Sequence, residues 1–290
     1  MLTSAVRDLH LRHPEEFVTD VRTPYPELWA NSPYIRQLSQ QEEDVETVEC
    51  HNLLWASRSQ LAFHAIHSFT NFFNEYFDRH TKPVWFKPEL NLTDQEKEWV
   101  SQVHESTGED SPFWIIATGD EKDNPLNLWP KERFQQVVDH FKDEVFFVQT
   151  GAHRKGPALE GVMDLRGKTD MRQLVRLVYH AQGVVSPPSL LMHLAAGVEV
   201  KEAMTANRPC VVLAGGSDPS HWHAYTNHQY IHPLGALKCC DQGGCGKTTL
   251  GGGDAEDENA CLNRVENGPR CMDIIKTTEV IRAIEMYLQK

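Results

Sequence analysis

From residue 112 onward, short apolar runs alternate with stretches whose apolar positions recur every three or four residues. Phe113-Trp-Ile-Ile-Ala-Thr118 is such a run and ends in Gly119-Asp120, as a buried parallel strand feeding a loop should. Pro130 then stands at a helix start, with Phe134, Val137, Val138 and Phe141 on one face. The next strand is Val145–Gln149, closed by Gly151, and Val162–Leu165 is another. Thr169 or Asp170 caps a helix carrying Leu174, Val175, Leu177 and Val178. Gly183–Ser186 leads through Pro187-Pro188 into a helix over Ser189–Ala196. Pro209–Ala214 is a further strand, ending in Gly215-Gly216. Thr277 or Thr278 opens a last helix through Val280, Ile281, Ile284 and Leu288. The alternation predicts a parallel sheet covered by helices on both faces.

The first 110 residues are less regular. Ala5–His13 reads as helix, Phe17–Val21 and Val45–Cys50 as strands, Arg58–Phe77 as a long amphipathic helix, and Glu96–His104 as another. The stripe Phe69, Phe72, Phe73, Phe77 is a helix face laid against a core. A mixed half followed by a strand–helix half suggests two Rossmann-like lobes facing a cleft, divided at residues 1–110 and 111–290. Ligands of open parallel sheets sit at the carboxyl ends of the strands, so the loops after Thr118, Gln149, Val185 and Ala214 should line the site.

Charge narrows the partners. The 290 residues carry 28 basic and 41 acidic side chains, a formal balance of −13, which argues against a nucleic-acid partner. No apolar run approaches a membrane span and no secretion signal is legible. An odd count of seven cysteines then favours reduced thiols and a cytoplasmic setting.

Five of those seven cysteines fall between Cys239 and Cys271, around a loop of glycines and carboxylates with almost no apolar residue to hold its shape. Counted from Cys240, with Cys239 as its alternative, the spacing through Cys245, Cys261 and Cys271 is C-x4-C-x15-C-x9-C. A staple is expected in the 239–271 knuckle. Four thiolates around a structural iron or zinc would supply it; disulfides and free thiols are the other readings. Within it, Gln242–Thr249 imitates a phosphate-binding loop. The required first glycine is Asp241, and Leu250-Gly-Gly-Gly cannot open the helix such a loop needs, so a nucleotide-hydrolysing loop is rejected.

Single residues carry two readings each. Ser189 caps its helix or offers its hydroxyl and nearby N–H groups to a phosphate. His193, one turn further on, is a core histidine or a ligand to substrate. Thr118 and Gly119 form a strand-end turn where a ligand can approach closely. Asp120, Glu121 and Asp123 are a solvated acidic loop, or one of them, Asp120 first, is a general base whose pKa its neighbours raise. His221 and His223 mark a surface turn or a metal pair, and Trp222 a core or adenine-facing ring.

Several segments in order resemble glycosyltransferase family 9, the ADP-heptose heptosyltransferases of lipopolysaccharide assembly. Asp164-Leu-Arg-Gly-Lys-Thr-Asp170 with the helix from Arg172 to Ala181 is similar to that family's DLRGKT–helix segment. Val184–Ala196, with Met192-His193, is similar to its nucleotide-binding strand–helix turn. Trp129-Pro130 with Phe134, Asp218-Pro219 with Trp222, and Cys271-Met-Asp-Ile-Ile with the final helix match further stretches. At the front, the segment from Leu2 to Leu9 resembles the family's first helix, and Asp20-Val-Arg-Thr-Pro its second strand and exit. The cysteine knuckle resembles the metal finger of the branch that modifies autotransporter proteins with heptose.

The resemblance implies an α/β protein of the GT-B type, two Rossmann-like lobes with a C-terminal cysteine-rich metal knuckle. The second lobe would hold ADP-heptose through Thr118, Gly119, Gly151, Ser189, Met192 and His193. Heptose would pass to a glycan or protein acceptor with inversion, and homo-oligomers are compatible with it. Three departures stand out. The family's first strand and Gly-Asp loop have no counterpart before Met1, its Asp-Thr-Gly is Pro188-Ser189-Leu190, and the basic residue two places before its Trp-Pro is Asn127. These support an alternative, a non-catalytic nucleotide-sugar-binding or assembly module stabilised by its metal finger.

Overall fold

The computed structural model describes residues 1–39, 45–50, 63–119, 125–152, 156–201, 207–250, 257–266 and 268–288. Helix α1, Leu2–Arg12, buries Ala5, Val6 and Leu9 against Phe73 of α2, Ala65–Phe77. The N–H of Ile66 donates to Nδ1 of His64, which caps α2, and Asp78 ends it in the left-handed conformation at φ 51°. Two short helices follow, α3 at Asp94–Glu98 and α4 at Gln102–Thr107. The single helix expected over Glu96–His104 is split because Trp99 turns to extended backbone. Ser101 then caps a new start, accepting from the N–H of His104.

The strand expected at Phe17–Val21 reduces to one parallel bridge, Thr19 with Ile35, and Val45–Cys50 forms none. Their apolar side chains are spent differently. Phe17 stacks edge-on against Phe77 at 5.1 Å, and Phe17, Ile35 and Cys50 all pack on the α1–α2 cluster. Of the long helix expected over Arg58–Phe77, residues 58–62 lie outside the described residues.

The sheet comes from the rest of the chain: β1 Phe113–Ile116, β2 Phe146–Gln149, β3 Met163–Asp164, β4 Gly183–Ser186, β5 Cys210–Leu213 and β6 His228–Ile231. All pair in parallel, in the order β3-β2-β1-β4-β5-β6. That is the doubly wound order of dinucleotide-binding sheets, with its reversal between β1 and β4. Along β1, Trp114 and Ile116 join one buried cluster while Phe113 and Ile115 join the other, the two-residue period of a strand covered on both sides.

Helices α5, Lys131–His140, and α9, Thr277–Leu288, cover the first face. On the second lie α6, Met171–His180, and α7, Leu190–Gly197. Asp170 and Gln173 form a reciprocal capping box that starts α6. A short helix α8, Arg270–Ile274, precedes α9 and is tied to the Trp-Pro segment: Trp129 Nε1 donates to Ile275 O at 3.1 Å, and Arg133 pairs with Asp273 at 2.5 Å.

Arg208 joins the ends of α6 and α7. Its guanidinium, 2% exposed, donates to the carbonyls of Tyr179, Ala181, Ala195, Val198 and Glu199 at 3.0–3.3 Å. Among the described residues this buried cation is held by backbone carbonyls at the negative ends of two helices.

Candidate functional site

The strand order reverses between β1 and β4, the place where open parallel sheets offer ligands a crevice at the strand exits. Chain pairing carries past the strand ends: the Ala117 N–H donates to Val185 O at 2.9 Å, and the Thr150 N–H to Ile116 O at 3.1 Å. Gly119 follows with φ 80°. A Cβ on it would lie 3.2 Å from Leu128 and 3.4 Å from the ring of Pro187, so both its conformation and its neighbours call for glycine. The β1 exit is thereby laid against the β4 exit.

Gln149 orders the adjacent loop. Its Nε2 donates to Pro157 O at 2.7 Å and stands 3.5 Å from the Thr118 hydroxyl, while its Oε1 accepts from Leu159 N–H at 2.9 Å. The Gly151 carbonyl accepts from Gly167 N–H at 2.8 Å. Arg166 grips Asp164 through paired contacts at 2.9 Å and also donates to Gly156 O. That hydrogen-bonded pairing holds the Asp164 carboxyl at about 2. The Asp-Leu-Arg-Gly-Lys turn is therefore a brace for the β2 loop, with its arginine already spent.

Ser189 stands at the start of α7 in extended backbone. Its hydroxyl caps nothing and is a buried oxygen without a partner. An α7 amino terminus with an unspent hydroxyl beside the crevice offers partial positive charge and a donor to an anion. Thr118, Gly119 and Ser189 thus share the strand-exit end of the sheet.

Met192 and His193 have other surroundings. Met192 is completely buried in the core, and His193 Nδ1 is 2.8 Å from the Tyr225 hydroxyl. Burial first, then the charges of the amino terminus, His223, His64 and His228, press the His193 pKa far down. His223 is held at about 4 by burial, and Trp222 is core, packed with Ala65. Asp120, Glu121 and Asp123 lie outside the described residues.

Asn127, read in the sequence only as a missing cation, has a role of its own. It is 3% exposed, and its Oδ1 accepts from the Gly215 N–H at 3.0 Å. The Pro125–Asn127 segment is thereby pinned to the loop leaving β5. Neither Asn127 nor Gln149 belongs to a motif that would announce it.

The cysteine knuckle docks on that same β5 loop. A Cβ on Gly216 would come 2.9 Å from Cys240 Sγ, and one on Gly215 3.2 Å from Cys271 Sγ. Gly216 O and Ser217 O accept from the N–H groups of Cys245 and Gly246 at 2.9 and 3.0 Å. Those two N–H groups are thus not directed at a phosphate, and no helix follows: β7, Thr249–Leu250, pairs with β8, Ala260–Cys261, while β9, Arg264–Val265, pairs with β10, Gly268–Pro269.

Two of the thiols are shifted, chiefly by burial. Cys245 is raised to about 11 by burial, opposed by the Lys247 N–H and aided by Cys239, Cys261 and Cys271. Cys271 is raised by burial, with Cys261 and Cys240 adding to it. Both Cys239 and Cys240 therefore stand near the cluster, the first exposed and the second buried. Among the described residues, no three of His, Cys, Asp or Glu are set closely enough to hold a metal ion.

A family model, Glycosyltransferase family 9 (heptosyltransferase), matches residues 37–244. Among solved structures, the chain is similar to a glycosyl transferase family 9 protein from Veillonella parvula DSM 2008. Identity is 19% and TM-score 0.53, over 80% of this chain and 62% of that one. It is also similar to TibC from enterotoxigenic E. coli H10407, an iron-containing dodecameric glycosyltransferase. Identity is again 19% and TM-score 0.51, over 78% of this chain and 53% of TibC. The chain spans less than two thirds of either protein. These likenesses establish an α/β, GT-B-like fold. No curated protein matches the chain.

Proposed function

The chain belongs to glycosyltransferase family 9, and from that premise we propose that it transfers heptose from ADP-heptose to a glycan or protein acceptor. The observation that carries the reading is the buried, unpartnered Ser189 hydroxyl at the start of α7, beside the crevice bounded by Thr118 and Gly119. A diphosphate seated there would receive the helix's positive end and a hydroxyl hydrogen bond. In an inverting transfer, a base removes the acceptor proton as the acceptor oxygen attacks the anomeric carbon. The bond to ADP breaks on the opposite face, and charge gathers on the departing diphosphate, where fixed N–H donors lower the barrier. Asp120 is the candidate base by its position after β1, with Gly151 bounding the donor loop. The acceptor would be met by residues 1–110 and the donor by 111–290.

Cys240, Cys245, Cys261 and Cys271 would hold one structural iron or zinc, with Cys239 as the alternative to Cys240. Cys240 and Cys271, which both pack on the glycines of the β5 loop, and Cys245, whose N–H is bonded to Gly216 O, support that assignment. Four protein ligands leave no open position, so the metal would brace the loop and take no part in transfer. Homo-oligomeric assembly and a cytoplasmic setting complete the reading. Among the described residues, no helix is long and apolar enough to cross a membrane.

A second reading has its own support. The Asn127 side-chain oxygen is committed to Gly215 where the family carries a cation, which favours nucleotide-sugar binding without turnover. Isothermal titration with ADP and ADP-heptose tests the shared part. Replacing Ser189 with Leu should weaken ADP about tenfold, the worth of one hydrogen bond to a charged group; unchanged affinity refutes the placement. Mass-spectrometric detection of ADP release in the presence of acceptor then separates enzyme from binding module.

A further inference from the structure

A cavity of about 530 Å³ lies at the other end of α7, by its last turn and the amino ends of β5 and β6. Ser189 and this cavity are separated by the eight residues of α7, about 12 Å of helix. It is a different place from the strand-exit crevice.

Its rim is built in advance. Trp85 and Phe86 are 56% and 38% exposed, side by side, on a segment with no strand or helix to hold it. Arg7 holds it instead. This guanidinium, 1% exposed, donates to Trp85 O at 2.6 Å and to Lys87 O at 3.2 Å, and sits 5.3 Å from the Trp85 ring centroid. Phe86 is braced from beneath by His64, ring centroids 4.6 Å apart. The backbone carrying the two aromatic rings is therefore held at the rim of a mixed polar and apolar cavity, presenting both rings to a ligand that stacks on them.

The charges around it are uneven. Lys87 and Lys201 both line the cavity; its carboxylate, Glu199, is taken by Lys97 at 2.9 Å. In the wall, both ring nitrogens of His228 are buried without a partner, so hydrogen-bonding capacity is left over inside as well. Aromatic ledge, cationic rim and unsatisfied polar wall together select a ligand with a flat or ring-shaped body and an anionic group.

We propose that this cavity binds a phosphorylated ring compound, a sugar phosphate or a mononucleotide, its ring on Trp85 and Phe86 and its phosphate between Lys87 and Lys201. The site is independent of the donor crevice and does not rest on the transfer reaction.

Isothermal titration of the full chain with glucose 6-phosphate, AMP and unphosphorylated glucose tests it. Saturable binding of at least one phosphate compound is expected, with glucose failing to bind at the same concentrations. The Lys87→Ala/Lys201→Ala variant should weaken that binding at least about tenfold, since two charged contacts to the phosphate are removed, at the cost of one Lys201–Tyr179 ring contact. Trp85→Ala should weaken it as well, and Ser189→Leu should leave unchanged the binding of glucose 6-phosphate, which has no adenosine to place in the donor crevice. Binding of glucose 6-phosphate identifies the ring as a sugar; binding of AMP alone identifies it as a base. No saturable binding of either compound, equal binding by the lysine variant, or loss of binding in Ser189→Leu would overturn the proposal. The last outcome would assign the ligand to the donor crevice while leaving the transfer reading intact.

Discussion

Replacing Asn127 by Leu keeps the side chain's approximate volume and removes its oxygen. The Gly215 N–H, buried and 3.0 Å from that oxygen, then has no partner. An orphaned buried donor costs about 1–3 kcal/mol. For a chain of this size a urea slope of about 3 kcal/mol per M converts that to a midpoint lowered by about 0.3–1 M. The same bond pins the Pro125–Asn127 segment to the β5 loop at the strand-exit end of the sheet, so ADP affinity should fall too. Asn127→Lys separates the two effects. It also removes the acceptor and should lower the midpoint similarly, but its ammonium would stand at the crevice and bind ADP no more weakly than the parent chain. Urea unfolding followed by tryptophan fluorescence, with ADP titration of each variant, makes the comparison. An unchanged midpoint in Asn127→Leu would refute the reasoning, because the Gly215 N–H would then have found another partner.

Arg208→Met removes five donations to the ends of α6 and α7, partly offset by relief of the guanidinium's burial, and should cost about 3 kcal/mol in urea unfolding. Arg208→Lys should recover less than half of it, since one ammonium cannot span both helix ends; full recovery would contradict the two-helix role. Stability should also fall with acid. Burial holds His64 at about 3 and His223 and His228 at about 4, so they stay neutral in the fold while the unfolded chain takes up protons below about 6.5. Stability is full above that value and is lost between about 6.5 and 4, His64 adding to the loss down to about 3, with up to about 1.4 kcal/mol per pH unit for each imidazole. Asp164, held at about 2, contributes only below that window. A urea midpoint that stays flat from pH 7 to 5 would rule this out. Metal analysis of protein purified under reducing conditions should find about one equivalent of iron or zinc, with Cys261→Ser losing most of it, since one missing ligand opens the site; metal-free native protein with intact thiols would exclude the metal knuckle.

The strand–helix alternation after residue 112 was legible because burial on both faces leaves an uninterrupted apolar run, as in Phe113–Ile116 and Gly183–Ser186, and glycine or proline marks each exit. The amino-terminal strands were misread where a few apolar residues, Phe17 among them, serve a helix–helix cluster as readily as a sheet. Over so short a run the two uses leave the same pattern. Thr118, Gly119 and Ser189 lie at strand exits, as the strand–loop–helix pattern indicated, while Met192 and His193 shared a motif with Ser189 and fell into the core and beside Tyr225.

Local chemistry, written in consecutive residues, determined strands β1 to β5 and where helices α6 and α7 begin. The order of the six strands, the Asn127–Gly215 link across 88 positions, the Arg208 clasp on two helices and the Arg7-braced aromatic rim were decided only by the tertiary structure. Each joins residues far apart in the chain through a hydrogen bond or a packed ring, and no periodicity along the chain encodes which distant partner a polar side chain will meet.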